Sequence, residues 1–205
     1  AQVALALSDA LNAAGPHVRQ IDVHDVIRMA KTRIRVPEQW YGDYLASLGA
    51  ARVGERALKQ LCEKYGVDTV RRWIAEWLNY SEWRMIQAIR GLPSGVWTGS
   101  TFHDPFPGMR EEGLPLNVAV RIDAESARVE LDLRDNPDST PNGMNQSKTT
   151  AINNAIAGLC FSIEEVPHNS GSFRRIDVQL RENCVAGIPV HPTSCSMATS
   201  AAGTP

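Results

Sequence analysis

The stretch Ile89-Arg90-Gly91-Leu92-Pro93-Ser94-Gly95-Val96-Trp97 decides the fold, because the sequence pattern changes there from helical to strand-like. Before this stretch, apolar residues recur at the three- and four-residue spacing of an amphipathic helix. After it, apolar and polar residues alternate, as they do in a half-buried strand. A glycine closely followed by a proline is a strong stop signal for a helix. We therefore expect an α+β fold, with a helical region at 1–92 and a β-rich region that carries one or more packed helices at 93–205.

Helical segments are predicted throughout the first half. Residues 2–13 carry apolar side chains at helical spacing, and residues 24–31 form a short helix or the approach to a strand. Pro37 suits the first turn of a long helix that continues to Gly66. Another long helix follows, so an antiparallel hairpin of the two long helices is the simplest arrangement.

Three glycines and one aspartate add detail to the helical prediction. Gly42, Gly49 and Gly54 each cost about 1 kcal/mol relative to alanine inside a helix. Their presence predicts either a close approach of a neighbouring backbone or a break in the helix. Asp68 is placed to cap the helix that follows Gly66.

The second half has the pattern of a mainly antiparallel sheet. The predicted strands cover residues 96–102, 116–122, 127–133 and 173–180. Turn-like residues at 123–126 predict a hairpin between the second and third of these strands. Residues 135–143 are a loop by composition, and residues 147–161 form a helix of mostly small residues.

Composition is that of an ordinary globular protein. With 205 residues, of which 43% are hydrophobic and 21% charged, the chain can bury a real core. Its net charge of −2 gives no electrostatic reason to expect a nucleic-acid partner. No segment approaches 18 uninterrupted apolar residues, so no membrane partner is expected. Residues 1–7 lack the features of a signal peptide, and we expect a cytoplasmic location.

The four cysteines are widely spaced, which favours free thiols over a disulfide framework. Cys184, His191 and Cys195 suggest a metal clip, but this spacing provides only three ligands and matches no common zinc pattern. Buried or partly buried thiols are the simpler interpretation. We therefore assign no metal site to this chain.

The segment Asn142-Gly143-Met144-Asn145-Gln146-Ser147-Lys148 is the best candidate for ligand binding, because it leads into a predicted helix. Exposed backbone N–H groups at a helix start can hold a carboxylate or an oxyanion, and Lys148 would add charge. The residues assigned to substrate binding are Asn142, Asn145, Ser147 and Lys148. A plain turn followed by a Ser147 cap explains the same pattern, so both interpretations stay open. The glycine spacing of a P-loop is absent.

Other polar groups are weaker candidates for catalysis. Asp132, Asp135 and Asp138 are candidates for an acid/base or metal cluster, although loop turns explain them more simply. His103-Asp104 has the composition of a base with its orienting partner, but adjacent residues seldom face one another. Residues 191–195 hold a His, a Ser and a Cys too close together in sequence to guarantee the geometry of nucleophilic catalysis. Catalytic residues are therefore left unassigned.

Seven segments carry a resemblance to a known family. They are Gly42–Gly54, Tyr65-Gly66, Tyr80-Ser81-Glu82-Trp83-Arg84-Met85, Leu92-Pro93-Ser94-Gly95, Asp132-Leu133, Asn142–Asn145 and Asn169–Ile176. In this order and spacing, over about residues 40 to 195, the chain resembles the hydantoinase B/oxoprolinase family. The segment from Tyr80 to Met85 is the most specific. The sequence departs from the usual pattern at His191-Pro192, where many relatives carry Asn-Pro, and at Asn136-Pro137-Asp138, which replaces a Gly-Thr-Ser-like loop.

The resemblance implies the B-type subunit of an ATP-dependent hydrolase of hydantoins, 5-oxoproline or other cyclic amides. In such a system a hydantoinase A-type partner binds ATP and Mg and activates the ring carbonyl by phosphorylation. The family's divalent metal, Zn or Mn, lies upstream of the matched region, at a His-x-x-Asp motif and a later His that this sequence does not contain. We therefore expect an internal fragment, cut at both ends, that is inactive alone and binds no cofactor itself. Within a hetero-oligomer it would supply scaffold, part of the substrate pocket and subunit contacts.

Two alternatives stay open. The resemblance extends to the α subunit of acetone-type carboxylases, which would consume a ketone and bicarbonate. A non-catalytic assembly module would instead use exposed aromatic side chains at Trp73, Trp77 and Trp83 as an interface.

Overall fold

The structure, a computed structural model, describes residues 23–105, 111–163 and 165–195. Its helices are α1 (Val23–Arg33), α2 (Pro37–Tyr65), α3 (Val67–Arg90) and α4 (Lys148–Ser162), and its strands are β1 (Gly95–His103), β2 (Leu114–Asp123), β3 (Arg128–Asp132) and β4 (Ile176–Gln179). The fold class is α+β, as predicted. The predicted helix at 2–13 lies outside the described residues. Among the helices that are described, none has both the length and the apolar character needed to span a membrane.

The chain comprises two compact units, Ala1–Arg71 and Arg72–Pro205. The change from helix to strand falls between Arg90 and Gly95, at the predicted stop signal. The boundary between the units falls earlier, within α3. The division of the chain into domains at residue 92 stays a prediction.

The first unit contains α1 and α2. Helix α2 begins at Pro37, whose ring fixes the backbone angle of the first helical turn, and none of its residues is buried. Gly42, Gly49 and Gly54 all lie within this unbroken helix. At each of them, a Cβ would meet no atom of the described residues within 4 Å. The predicted helix break is therefore wrong, and no close backbone approach to these glycines is found within the described residues.

Gly66 separates α2 from α3. Its φ of 85° lies in the left-handed region that favours glycine. Its N–H donates to the carbonyl of Cys62 at 2.9 Å, and its own carbonyl accepts from the N–H of Val70 at 3.1 Å. Asp68 therefore lies inside the first turn of α3, where its charge suits the helix dipole, and the predicted Asp68 cap is wrong. The antiparallel packing of the two long helices stays a prediction.

The second unit is built on a four-stranded sheet in the order β1-β2-β3-β4. The β1–β2 and β2–β3 pairs are antiparallel, and β4 runs parallel to β3. The predicted β2–β3 hairpin is confirmed, and the N–H of Ser126 closes its turn by donating to the Asp123 carboxylate at 3.0 Å. The strand predicted at 173–180 is correct only from Ile176, because Ser172–Arg175 forms a 3₁₀ helix.

The main hydrophobic core joins α3 to the sheet. Met85 and Ile89, about one helical turn apart, are completely buried. They belong to the same cluster as Val129 and Leu131 of β3 and Ile176 of β4. Full burial of a side chain of this size contributes about 1.5–3 kcal/mol. This cluster fixes the sheet against the C-terminal half of α3.

A polar contact between α3 and residues 169–175, which we call the motif joint, reinforces this core. Ser81 is completely buried. Its hydroxyl donates to the carbonyl of Trp77 at 2.8 Å and accepts from Nδ2 of Asn169 at 2.8 Å. The next residue, Glu82, forms ion pairs with Arg174 at 2.8 Å and Arg175 at 2.6 Å.

Gly171 completes the motif joint by allowing close approach. A Cβ at this position would overlap the carbonyl oxygen of Leu78 and lie 2.7 Å from its carbonyl carbon. Only glycine therefore lets this turn reach the backbone of α3. The 3₁₀ helix that follows is held against α3, which explains why β4 begins at Ile176 and not at residue 173.

Candidate functional site

A cavity of about 720 Å³ lies between the sheet and α4. Alternate residues of the strands form one wall, since side chains of a strand point alternately to its two faces. One face of α4 forms the opposite wall. The strand residues include Trp97, Gly99, Thr101, Leu116, Val118, Val120, Ile122 and Leu131, and the helix residues are Ala151, Asn154, Ala155, Gly158, Leu159 and Ser162. This volume falls in the range of about 300–1,000 Å³ that is typical of small-molecule sites.

The cavity walls are mostly apolar, with a small set of uncharged polar residues. These are Ser100, Thr101, Asn117, Asn136, Gln146, Asn154 and Ser162. None of the described residues that line the cavity has an ionisable side chain. The cavity can therefore bind and orient a ligand, but its own side chains offer no general acid or base.

Two asparagines form a rigid part of the cavity wall. The side chain of Asn136 pairs with the backbone of Asn117: its Oδ1 accepts from the Asn117 N–H at 2.8 Å, and its Nδ2 donates to the Asn117 carbonyl at 2.8 Å. Ser100 donates its hydroxyl hydrogen to Oδ1 of Asn117 at 2.8 Å. These bonds continue the strand pairing beyond the end of β3, so the polar groups at this end of the cavity are held in place.

Arg181 stabilises the loop that carries Asn136. Its Nε donates to the carbonyl of Arg134 at 2.9 Å, and its Nη1 lies 2.8 Å from the Asp138 carboxylate. The segment Asn136-Pro137-Asp138 differs from the loop that is usual in the family that the sequence resembles. Both of its polar residues form specific contacts. These contacts hold the segment in place, and its residue Asn136 lines the cavity.

Asn142 and Asn145, two of the predicted substrate-binding residues, build a turn. Oδ1 of Asn142 accepts from the N–H of Met144 at 3.0 Å. Asn145 is completely buried, and the two hydrogens of its Nδ2 are shared among the carbonyls of Thr140 at 2.9 Å, Asn142 at 2.8 Å and Ser194 at 2.9 Å. This amide therefore ties the turn to residues near the described end of the chain.

Ser147 and Lys148, the other two predicted residues, begin α4. Ser147 is its N-cap, and its Oγ accepts from the N–H of Thr150 at 3.2 Å, which confirms the predicted cap. Lys148 is exposed. None of the four predicted residues lines the cavity, whereas their neighbour Gln146 does. Their role in substrate binding stays a prediction.

Two of the three aspartates at 132–138 form ion pairs with nearby arginines. Asp132 forms an ion pair with Arg134 at 2.7 Å, and the hydrogen bond from Arg134 lowers the pKa of the Asp132 carboxyl. Asp138 is paired with Arg181. Within residues 23–105, 111–163 and 165–195, no three His, Cys, Asp or Glu side chains come together as a possible metal site.

The cysteines and histidines considered above lie in different settings. Cys184 is completely buried, and burial raises the pKa of its thiol. Cys195 is exposed, so the prediction of a buried or partly buried thiol is wrong for this residue. The hydrogen-bond partner of Nδ1 of His103 is the backbone oxygen of Asp104, at 2.9 Å, rather than the Asp104 carboxylate. None of these groups lines the cavity.

Comparison with known proteins decides the family. The profile of the hydantoinase B/oxoprolinase family matches residues 17–204. The chain belongs to this family. In this hydantoinase B/oxoprolinase chain, the most specific segment, Tyr80–Met85, supplies Ser81 and Glu82 to the motif joint.

Several relatives are similar in sequence. The B-type subunit of a D-/L-hydantoinase from Pseudomonas sp. strain NS671 is 32% identical over 183 residues, which cover 81% of this chain and 31% of the relative. The beta subunit of the caprolactamase from Pseudomonas jessenii is 30% identical over 177 residues, which cover 84% of this chain and 30% of the relative. The delta subunit of the acetophenone carboxylase from Aromatoleum aromaticum is 29% identical over 155 residues, which cover 74% of this chain and 22% of the relative. The chain thus spans less than a third of the length of these relatives.

Solved structures give the same picture. The ATP-dependent caprolactamase from Pseudomonas jessenii matches with a TM-score of 0.67 and 27% identity, over 84% of this chain and 29% of that chain. The nucleotide-free acetone carboxylase matches with a TM-score of 0.65, over 91% of this chain and 25% of that chain. At 10% identity, the second likeness concerns the fold alone.

The polar cavity residues Asn117, Asn136, Gln146 and Asn154 belong to no motif that indicates a cavity from sequence alone. Asn154 gives the clearest signal, because it is a carboxamide among the small residues of α4. Asn136 and Gln146 are both buried, although they lie in a segment with the composition of a polar loop. Their proximity depends on strand pairing and helix packing, which sequence spacing does not show.

Proposed function

We propose that this chain is part of the B-type subunit of an ATP-dependent cyclic amide hydrolase. In this proposal the chain supplies scaffold and part of the substrate pocket, and the cavity is that part. The observation that carries the proposal is the double similarity to caprolactamase, in sequence to its beta subunit and in structure to the enzyme. The cavity supports it, because apolar walls with fixed carboxamides suit a compact ring that contains an amide.

The chemistry of ring opening is assigned to groups outside the cavity. An amide ring is activated by phosphorylation of its carbonyl oxygen, and ATP with Mg would be held by a hydantoinase A-type partner. A divalent metal, Zn or Mn, would lie upstream of the matched region. The described residues bring together no ligand set for such an ion. The residues of this chain would bind and orient the ring and shield it from water.

The proposal is tested by co-expressing the B-type subunit that contains this chain with its ATP-binding partner. ATP hydrolysis is then measured with ε-caprolactam, hydantoin and 5-oxoproline, with matched linear amides as controls. We expect ATP hydrolysis to rise with at least one ring and with none of the linear amides. An equal rate with and without every ring would contradict the proposal.

A carboxylase subunit is the second candidate, favoured by the 29% identity to the delta subunit of acetophenone carboxylase. The same complex distinguishes the two functions. A carboxylase would hydrolyse ATP only when a ketone and bicarbonate are both present, and it would incorporate labelled bicarbonate into an acid product. Ring-stimulated hydrolysis without bicarbonate would exclude this candidate.

Helix α3 is proposed to provide subunit contacts. Trp73, Trp77 and Trp83 have exposed fractions of 47%, 54% and 53%, and Tyr80 stacks on Trp77 with ring centroids 5.7 Å apart. Exposed aromatic residues of this kind are enriched at interfaces. If the chain served assembly alone, Trp77→Ala would weaken co-purification with the partner while changes inside the cavity would leave turnover intact.

A further inference from the structure

We infer that the cavity between the sheet and α4 accepts uncharged cyclic amides with an apolar substituent and excludes rings that carry a carboxylate. This inference rests on the proposed function and names the substrate class of the same site. Its first basis is the lining, in which every described residue has a neutral side chain. A charged ligand entering such a site would lose part of its hydration without gaining an opposite charge.

Two arginines that contact or adjoin lining residues near Asn136 are already paired with carboxylates. Arg181 donates to the carbonyl of the lining residue Asn136, and the same guanidinium is 2.8 Å from the Asp138 carboxylate. Arg134, directly after the lining residue Leu133, is bound to Asp132 at 2.7 Å. Each cation therefore has its own anion, and neither is offered to a ligand carboxylate.

The polar groups of the cavity match an amide. A ring amide presents one N–H donor and one carbonyl acceptor. Thr101 lies on the cavity-facing side of β1, and its hydroxyl can accept from a ligand N–H. A carboxamide such as that of Asn154, on the opposite wall, has two donors and one acceptor oxygen, so it can bind a ligand in addition to a protein group.

The size of the cavity indicates the apolar substituent. A volume of about 720 Å³ is that of a site for a drug-sized molecule, and it exceeds what a bare five- or six-membered ring would fill. The remaining lining is aliphatic, apart from Trp97. A ring bearing an apolar group would cover these side chains and thereby gain affinity.

Three probes separate charge from size: 5-oxoproline, its methyl ester and its benzyl ester. They share one ring, but at neutral pH only 5-oxoproline carries a negative charge. Binding to the B-type subunit that contains this chain is measured by isothermal titration calorimetry in the absence of ATP, independently of turnover. We expect the benzyl ester to bind most tightly, and 5-oxoproline to bind at least about 100-fold more weakly than the methyl ester.

Two variants of α4 place this binding in the cavity. Gly158 lines the cavity and has nothing within 4 Å of its would-be Cβ, so Gly158→Leu fills open space and also favours the helix. Its neighbour Ala157 is exposed, so Ala157→Leu is the matched control. Gly158→Leu should weaken binding of the benzyl ester about tenfold, and Ala157→Leu should leave it unchanged.

The inference is overturned if 5-oxoproline binds as well as its methyl ester, if none of the three probes binds, or if Gly158→Leu binds as tightly as the wild type. Circular dichroism verifies that both variants are folded, and the probe series on the wild type does not depend on them. Failure of the proposed function has a different signature. In that case the neutral esters bind and discriminate as expected, but no ring stimulates ATP hydrolysis in the complex.

Discussion

Replacing Gly171 with alanine tests the motif joint directly. The new Cβ would overlap the Leu78 carbonyl oxygen and lie 2.7 Å and 2.8 Å from the Leu78 carbonyl carbon and Cα. These are helix backbone atoms, so α3 or the turn at 169–175 must move. Overpacking costs about 1–3 kcal/mol, and a backbone clash belongs at the upper end of that range. The displacement also stretches the 2.8 Å hydrogen bond between Asn169 and Ser81, which contributes about 1 kcal/mol.

Urea and thermal unfolding, followed by far-UV circular dichroism, measure this effect. We expect Gly171→Ala to lower the free energy of unfolding by about 3 kcal/mol, and Tm by about 6–12 °C for a chain of this size. Gly158→Ala is the matched control, because its Cβ would meet no atom within 4 Å and it lies inside α4. That control should stabilise the chain by about 0.5–1 kcal/mol. Equal midpoints for Gly171→Ala and the wild type would refute the steric argument.

Three further substitutions have defined outcomes. Asn145→Ala removes a buried amide whose two hydrogens bind three backbone carbonyls, and it should lower the free energy of unfolding by about 3 kcal/mol in urea titrations. A ligand-binding role alone would leave stability unchanged. Ser147→Ala removes the cap of α4 and should lower the free energy of unfolding by about 1 kcal/mol, measured in the same way. Ser147→Asp keeps a capping oxygen and should retain most of that stability. Equal losses of stability in the two variants would argue against capping. Glu82→Gln tests the pH dependence of the motif joint. The hydrogen bond from Arg174 lowers the pKa of Glu82 in the folded state, so its ion pairs stabilise the chain above the ordinary pKa of a glutamate and lose this effect as the pH falls through the lowered value. The stability difference between wild type and Glu82→Gln, about 1 kcal/mol at neutral pH, should therefore vanish in acid, and a pH-independent difference would contradict this explanation.

Much of the fold is predictable from the sequence, because several elements depend on local signals. Pro37 marks the start of α2, Ser147 caps α4, and the alternation at 116–122 matches strand β2. One incorrect prediction depends on a tertiary contact. Residues 173–175 have a strand-like pattern, but the close approach of Gly171 to α3 places them in a 3₁₀ helix. The pattern of glycines in α2 predicts a packing role, and none is found in the described residues.

The candidate site is less accessible from the sequence. The segment 142–148 is correctly predicted as the approach to a helix, yet Asn145 and Ser147 bind the protein's own backbone. The cavity instead forms between α4 and strands that lie earlier in the chain, and its polar groups include ordinary asparagines and serines. No spacing rule brings Ser100, Asn117 and Asn154 together, because only strand pairing and helix docking do so.

The most direct test of the central claim is the KM for a neutral cyclic amide in the complex of the B-type subunit with its ATP-binding partner. ADP formation and ring opening are measured together for the wild type, Gly158→Leu and Ala157→Leu. If the cavity is part of the substrate pocket, ADP formation and ring opening should be coupled. The KM should rise about tenfold in Gly158→Leu and should equal that of the wild type in Ala157→Leu. Ring opening with the same KM in all three proteins would contradict this claim.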